Sequence, residues 1–435
     1  MTAELEAIVT DVPGPRSRSL ASALRANENR GVTYLAADFP VFWESASGAL
    51  VTDVDGNRYI DATAAFGVAT TGHANSAVVR AIAEQAARLP HGMGDVHPSE
   101  IKARLLAALA ALAPMPNAKS FLCSGGAESV EFALKTAMLA TGEPNVLAFS
   151  GGYHGLSYGT LEVGGIAKFR APWRKQLRES TSFVRFPDPR EPKSLDRALD
   201  AVKKALRKDR RIGAVIVEPI QGRAGVIVPP DGFLRGLRAL CTQYDALMIL
   251  DEIYTAFGRT GVMFECQREG VVPDVLCVGK ALAGGFPLSA AMTSAEIADA
   301  WAPSAGEALH TSTYLGNPMG CAAALANLAE IERLAIARVA REREPIVAAA
   351  LGALARDNAT LVHVRGRGML WALEFTAPAL ANASVLRALR AGLLLLQSGV
   401  RGESITFAPP PVISDAQLAR AFALLGAAVA DPVYA

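Results

Sequence analysis

The chain of 435 residues carries almost no charge bias, with 43 Lys and Arg against 42 Asp and Glu. Without a basic or acidic surplus there is no electrostatic footprint for nucleic acid or an anionic membrane, and small polar or zwitterionic partners are expected instead. Cysteine is sparse and unpatterned. Cys123, Cys241, Cys266, Cys277 and Cys321 are odd in number and show no CxxC spacing, which argues for reduced core residues in a cytoplasmic protein and against a disulfide framework. Histidines 73, 91, 97, 154, 310 and 363 form no ligand-spaced set, so no metal site is expected. No apolar run is long enough to span a bilayer; Leu393 to Leu396 is the short kind found in buried elements. The first twenty residues hold Glu4, Glu6, Asp11 and two prolines and lack the basic start and apolar stretch of a signal peptide. Internal repeats and low-complexity tracts are missing too.

What is present is a long chain, 51% hydrophobic, able to bury a large core in one large domain with a smaller companion. The stretch Leu247 to Pro287 organises it. Two short apolar runs there, Leu247 to Leu250 and Val275 to Val278, read as buried parallel strands that deliver Asp251 and Lys280 at their ends. Ligands of open parallel sheets lie beyond the carboxyl ends of the strands, so a carboxylate and an amine face one crevice. A lysine between Gly279 and the flexible Ala283-Gly284-Gly285 can form a Schiff base, and a buried aspartate can keep a pyridinium nitrogen protonated. Pyridoxal phosphate requires both partners.

The rest of the chain is consistent with that chemistry. Residues up to about Arg30 read as a weakly ordered arm ending in a short helix. Asp55-Gly56-Asn57 reads as a hairpin turn between two short strands, and amphipathic helices follow over 77–89 and 99–112. In KSFLCSGGAESVEFALKTAML, a strand, a glycine turn and a helix follow in direct succession, which aims backbone N–H groups and a positive helix end at one point. An anion belongs there. Asn145 to Phe149 reads as a strand that ends near Tyr153, an aromatic placed to lie on a ring. Residues 170–211 are charged and proline-containing and read as a surface connection followed by a polar-faced helix. GAVIVEP reads as a strand from which Glu218 emerges. A long helix from Asn317 is expected to cross to the small domain, and the tail alternates helix and strand as a compact α+β unit.

Asp251-Glu252, Phe257-Gly258-Arg259-Thr260-Gly261 and Gly279-Lys280 with Gly284-Gly285, in that order, resemble the signature of class III aminotransferases of the pyridoxal-phosphate fold type I group. The resemblance covers nearly all of the chain beyond the first thirty or so residues. It implies an α/β fold, with a mostly parallel central sheet flanked by helices and a smaller α+β domain built from the N-terminal segment and the C-terminal tail. The implied division is 1–75, 76–325 and 326–435. Lys280 and Asp251 are then catalytic, and Gly125, Gly126 and Ala127 form the phosphate cup. Tyr153, followed by His154, stacks on the pyridine; Glu218 lies near the ring; Tyr254 stands where relatives often have Gln near the cofactor hydroxyl. Thr313 matches a threonine that reaches the neighbouring subunit's phosphate, which implies a homodimer. Trp43 and Phe66 are candidates for lining the substrate pocket. An amino donor, an oxo acceptor and ping-pong kinetics follow from the same resemblance.

Two positions depart from the family. Thr406, in Ile405-Thr406-Phe407-Ala408-Pro409-Pro410, replaces the arginine that many members acting on ω-amino acids use to hold a carboxylate. Arg223 replaces the glutamate that several of them pair with it. Either Arg223 binds the carboxylate from the other wall or the main substrate lacks one beside its amine; Arg367 and Arg401 are further possible anchors. A racemase or an aminomutase shares the fold and the Lys/Asp pair, and a catalytically silent binding protein on the same fold is the alternative from another class.

Overall fold

The computed structural model describes residues 4–430. The helix Pro15–Asn27 comes first, as expected at the end of the arm, and three antiparallel strands follow: β1 (Trp43–Ser47), β2 (Leu50–Asp53) and β3 (Arg58–Asp61). The turn between β2 and β3 is the expected one, with Gly56 at φ 88 and Asp53 Oδ1 accepting the N–H groups of Asp55 and Asn57, both at 2.9 Å. A seven-stranded sheet follows. It consists of β4 (Lys119–Cys123), β5 (Asn145–Ser150), β6 (Thr181–Arg185), β7 (Ile212–Val217), β8 (Leu247–Asp251), β9 (Val275–Val278) and β10 (Ser289–Thr293), in the order β4-β10-β9-β8-β7-β5-β6. Only β10 runs against its neighbours.

Both faces of this sheet are covered, which explains why its central strands read as continuous apolar runs. Side chains alternate between the faces: Met248 and Leu250 enter one core, while Ile249 packs in the other with Val130, Ala133 and Ala137 of the helix Gly126–Thr141. The tail contributes β11 (Leu361–Arg367), β12 (Leu370–Phe375), β13 (Leu393–Leu394), β14 (Leu396–Ser398) and β15 (Ser404–Phe407). Four of these form an antiparallel sheet, and β13 instead joins β3 in parallel, Leu393 opposite Ile60. Leu50 and Ile60 therefore share a core with Leu393, Ile405 and Phe407, and the two ends of the chain are built into one body.

Three expectations are corrected. The arm is docked from Glu4 onward: Ala7 bridges Arg58, and Asn57 Oδ1 accepts the N–H groups of Val9 and Thr10 at 2.8 and 2.9 Å. These partners lie some fifty residues away in the chain, so local composition carried no trace of them. The charged connection over 170–211 contains β6, an edge strand paired only with β5. Val184 is the one buried residue of β6, so no alternating pattern marks it. The helix from Asn317 does not itself cross: it ends at Arg333 with Ile331 in the core of the seven-stranded sheet, and after Ala335, left-handed at φ 49, the tail's own helix Ile336–Arg356 places Ala340, Val347 and Leu351 in the other core. Neither Gly nor Pro marks that break in the sequence.

Candidate active site

The strand ends explain the site. Register places Val217 opposite Leu250 and Asp251 opposite Cys277, so Glu218, Asp251 and Lys280 leave neighbouring strands β7, β8 and β9 at the same edge. Tyr153 and His154 arrive from the loop after β5. These groups line one cavity of about 540 Å³ together with Gly126 and Ala127. Gly125 precedes the helix Gly126–Thr141 in extended backbone, and no side chain caps that sixteen-residue helix, which leaves its N–H groups for a bound anion.

The charged groups are tightly coupled. His154 Nδ1 lies 2.8 Å from Asp251 Oδ2, and Asp251 Oδ1 accepts the Ile253 N–H at 3.1 Å. Burial opposes a charge on His154, but the hydrogen bond and charge of Asp251 prevail and raise its pKa. Glu218 accepts the N–H groups of Tyr153 at 2.8 Å and Gly222 at 3.1 Å. Burial pushes its pKa up to about 7, with the nearby Asp251 adding to the rise and His154 opposing it. Lys280 is depressed, first by desolvation, and its Nζ lies 4.4 Å from the centre of the Tyr254 ring. Tyr254 is held in place from both sides: a Cβ on Gly67 would come within 2.4 Å of its ring and one on Gly222 within 2.5 Å.

The raised Glu218 predicts a pH effect on stability. Folded, the group keeps its proton up to about pH 7, whereas its ordinary pKa is 4.5. Its favourable contribution is therefore complete below pH 4.5 and is lost as pH rises through 7, because the native state binds the extra proton in that window. Urea unfolding of cofactor-free Glu218→Gln and wild type should show the variant gaining relative stability from pH 4.5 to 8, by up to roughly 3 kcal/mol. A difference independent of pH would mean that Glu218 does not titrate there.

Not every candidate reaches the cavity. Phe66, Arg223 and Thr406 line it. Trp43 does not: it stands on the edge strand β1, 44% exposed, with its ring edge-on to His73 at 5.8 Å. Thr313 is exposed, beside the equally uncovered Tyr314. Arg367, paired with Glu265 at 2.6 Å and with Asp231, and the largely exposed Arg401 do not line the cavity. Thr406 Oγ1 donates to Ser398 at 2.8 Å inside the antiparallel sheet. Arg223 Nη1 donates to the Gly399 carbonyl at 3.2 Å, and desolvation depresses its pKa although Tyr153 and Glu403 lie near. Sequence reasoning missed Phe169, Leu156 and Gln397, which also line the cavity. No motif marks them, since each comes from a different segment.

The residues present fit pyridoxal phosphate: an amine with a depressed pKa, a carboxylate backed by a histidine, an aromatic wall and an uncapped helix start converge on one cavity. Comparison with known proteins agrees. The family model for class III aminotransferases matches residues 34–429. The chain is 37% identical to an acetylornithine aminotransferase of Methanopyrus kandleri, over 90% of this chain and 95% of that one. It is 34% identical to a 4-aminobutyrate aminotransferase of Mycobacterium leprae, over 98% of each. An amine transaminase from an uncultivated Pseudomonas species, solved with pyridoxal phosphate bound, superposes with a TM-score of 0.85 at 29% identity, over 93% of this chain and 97% of that one. An (S)-enantioselective omega-transaminase from Thermomicrobium roseum does so with a TM-score of 0.86 at 28% identity, over 95% and 98%.

Proposed function

Because this chain belongs to the class III aminotransferases, which depend on pyridoxal phosphate, we propose that Lys280 and Asp251 are its catalytic pair and that Arg223 selects its substrate. The observation that carries the reading is the delivery of Lys280 and Asp251 from adjacent strands into a cavity floored by an uncapped helix N-terminus. When bound, pyridoxal phosphate supplies a carbonyl carbon for the amino group and a protonated ring that delocalises an electron pair.

The chain's own residues do the remaining work. The N–H groups at Gly126 and Ala127 would hold the phosphate at the positive end of the helix. Asp251, oriented by His154, would keep the ring nitrogen protonated, and Tyr153 would cover the ring with Glu218 near it. Tyr254, in the place of the usual Gln and with its ring beneath the Lys280 amine, would offer its hydroxyl to the cofactor hydroxyl. Burial lowers the pKa of Lys280, so its amine is available to take a proton from the substrate carbon and return it. Donor and acceptor use one cavity in turn, which gives ping-pong kinetics. Thr313, with Leu309 and Tyr314 uncovered on the same segment, supports a homodimer in which Thr313 reaches the partner's phosphate. The five cysteines, all free and buried, suit a reducing cytoplasm.

Thr406 carries no charge and donates its hydroxyl to Ser398, which leaves Arg223 as the cation in the cavity wall to recognise a substrate carboxylate. Arg223→Met should raise KM for carboxylate-bearing donors about 10–100-fold, the worth of a charge-assisted pair. Amines without a carboxylate should change less than about threefold. The deciding experiment mixes loaded protein with a panel of amines and amino acids, without acceptor, and follows its visible absorption. Bleaching by a donor supports the reading; failure of every donor to bleach it overturns it.

A further inference from the structure

At the end of β3 the chain makes a left-handed helical turn. Ala64, Ala65 and Phe66 have φ of 48, 47 and 61, and Gly67 follows at 81. The Gly67 N–H donates to the Thr63 carbonyl at 2.9 Å, and the Ala69 N–H to that of Ala64 at 2.9 Å. Residues with a Cβ enter this region singly and rarely, and three in succession need an external constraint.

That constraint is visible. Asp61, fully buried, accepts four hydrogen bonds or close polar contacts: the Thr63 N–H at 2.7 Å, the Thr63 hydroxyl at 2.6 Å, the Ala65 N–H at 3.1 Å and His73 Nε2 at 2.7 Å. His73 is itself anchored, because its backbone N–H and carbonyl both pair with Gly48. The turn so held faces the site. Gly67 backs onto the Tyr254 ring that carries Lys280 Nζ on its face, and Phe66 lines the cavity. A few residues on, the Thr71 hydroxyl donates to Asn327 Oδ1 at 2.6 Å, and Asn327 Nδ2 donates to the carbonyls of Ala281 and Leu282. The segment thus reaches Lys280 by two indirect routes, through Tyr254 and through Asn327 to the backbone that follows the lysine.

The geometry points to Asp61, Thr63 and His73 as positioning residues that hold a left-handed turn in place, and through it set the surroundings of Lys280. The inference rests on the reading of Lys280 as the cofactor-bearing lysine. Breaking the clamp lets Ala64 to Phe66 relax, withdraws Gly67 from Tyr254 and moves the ring from beneath the amine. Glycine at 64 and 65 adopts the same backbone without a Cβ penalty, so it should restore what loss of the clamp removes.

The test uses His73→Ala, with Thr63→Ala as a second, smaller disruption, each with and without the pair A64G/A65G. Amide hydrogen exchange at Gly67 and Ala69 should quicken about 10–100-fold in the single disruptions and return to within about threefold of wild type with the glycines. In the loaded protein, the pH midpoint of the visible absorption should move by about half a unit or more and return likewise. Unchanged exchange, a midpoint that stays put while exchange quickens, or effects that the glycines do not reverse would each overturn the proposal. A protein that shows no visible absorption on loading would instead count against Lys280 as the cofactor-bearing lysine, while the exchange data would still judge the clamp.

Discussion

Lys280→Ala is expected to lower turnover roughly 10⁴-fold while leaving the fold in place. A positioned acid–base group supplies up to about 10⁴, and here the same amine is also the proposed nucleophile. The variant should fold because the lysine amine extends over the Tyr254 ring into an open cavity, so truncation removes no strand pairing and leaves the core intact. Lys280→Arg makes the sharper control. It keeps a long basic side chain above Tyr254 but puts a guanidinium, protonated at every working pH, where a neutral amine is needed. Both variants should show a near-native urea midpoint and lose the visible absorption of the loaded protein. Activity within tenfold of wild type in either would remove Lys280 from the mechanism.

Asp251→Asn should cost about 10³-fold in kcat, with donor KM changed only a few-fold, since the amide preserves shape but cannot hold a ring nitrogen protonated. A second effect follows from the pairing with His154. The Asp251 charge is what raises the histidine above its ordinary pKa against burial. With that charge gone, burial is opposed only by the weaker influence of Glu218, and His154 should titrate lower than in the wild type. Single-turnover rates give the first effect and imidazole NMR shifts the second. A kcat within tenfold of wild type would mean that the ring nitrogen is not governed by Asp251. An unchanged kcat with a depressed His154 would confine the pair to a structural role.

The left-handed turn bears on how such sites are read. Thr63-Ala64-Ala65-Phe66-Gly67 has no local signature for its conformation, and alanines favour the opposite hand. Each left-handed residue that carries a Cβ costs about 1–2 kcal/mol, so the conformation persists only where contacts from elsewhere over-determine it. Asp61 and His73 supply those contacts in the folded chain. In the sequence they are a strand-end carboxylate and one half of a Gly-His pair.

The sequence by itself determined the strands that end at Asp251 and Lys280, the glycine-led helix at Gly126 and the hairpin at Gly56. Each is a local pattern in which an apolar run sets the element and the next polar or glycine residue marks its end. The family followed from the order of those same residues. Tertiary structure alone decided that His154 meets Asp251 across 97 positions, that Asn327 ties Thr71 to the turn after Lys280, and that Trp43 stays outside the cavity. It also decided that Thr406 and Arg223 line the same cavity, with the Thr406 hydroxyl donated to Ser398. Local pattern reports what a segment does with its own backbone. Partners distant in the chain meet only when burial closes the core, and those meetings set charge, orientation and strain at the site.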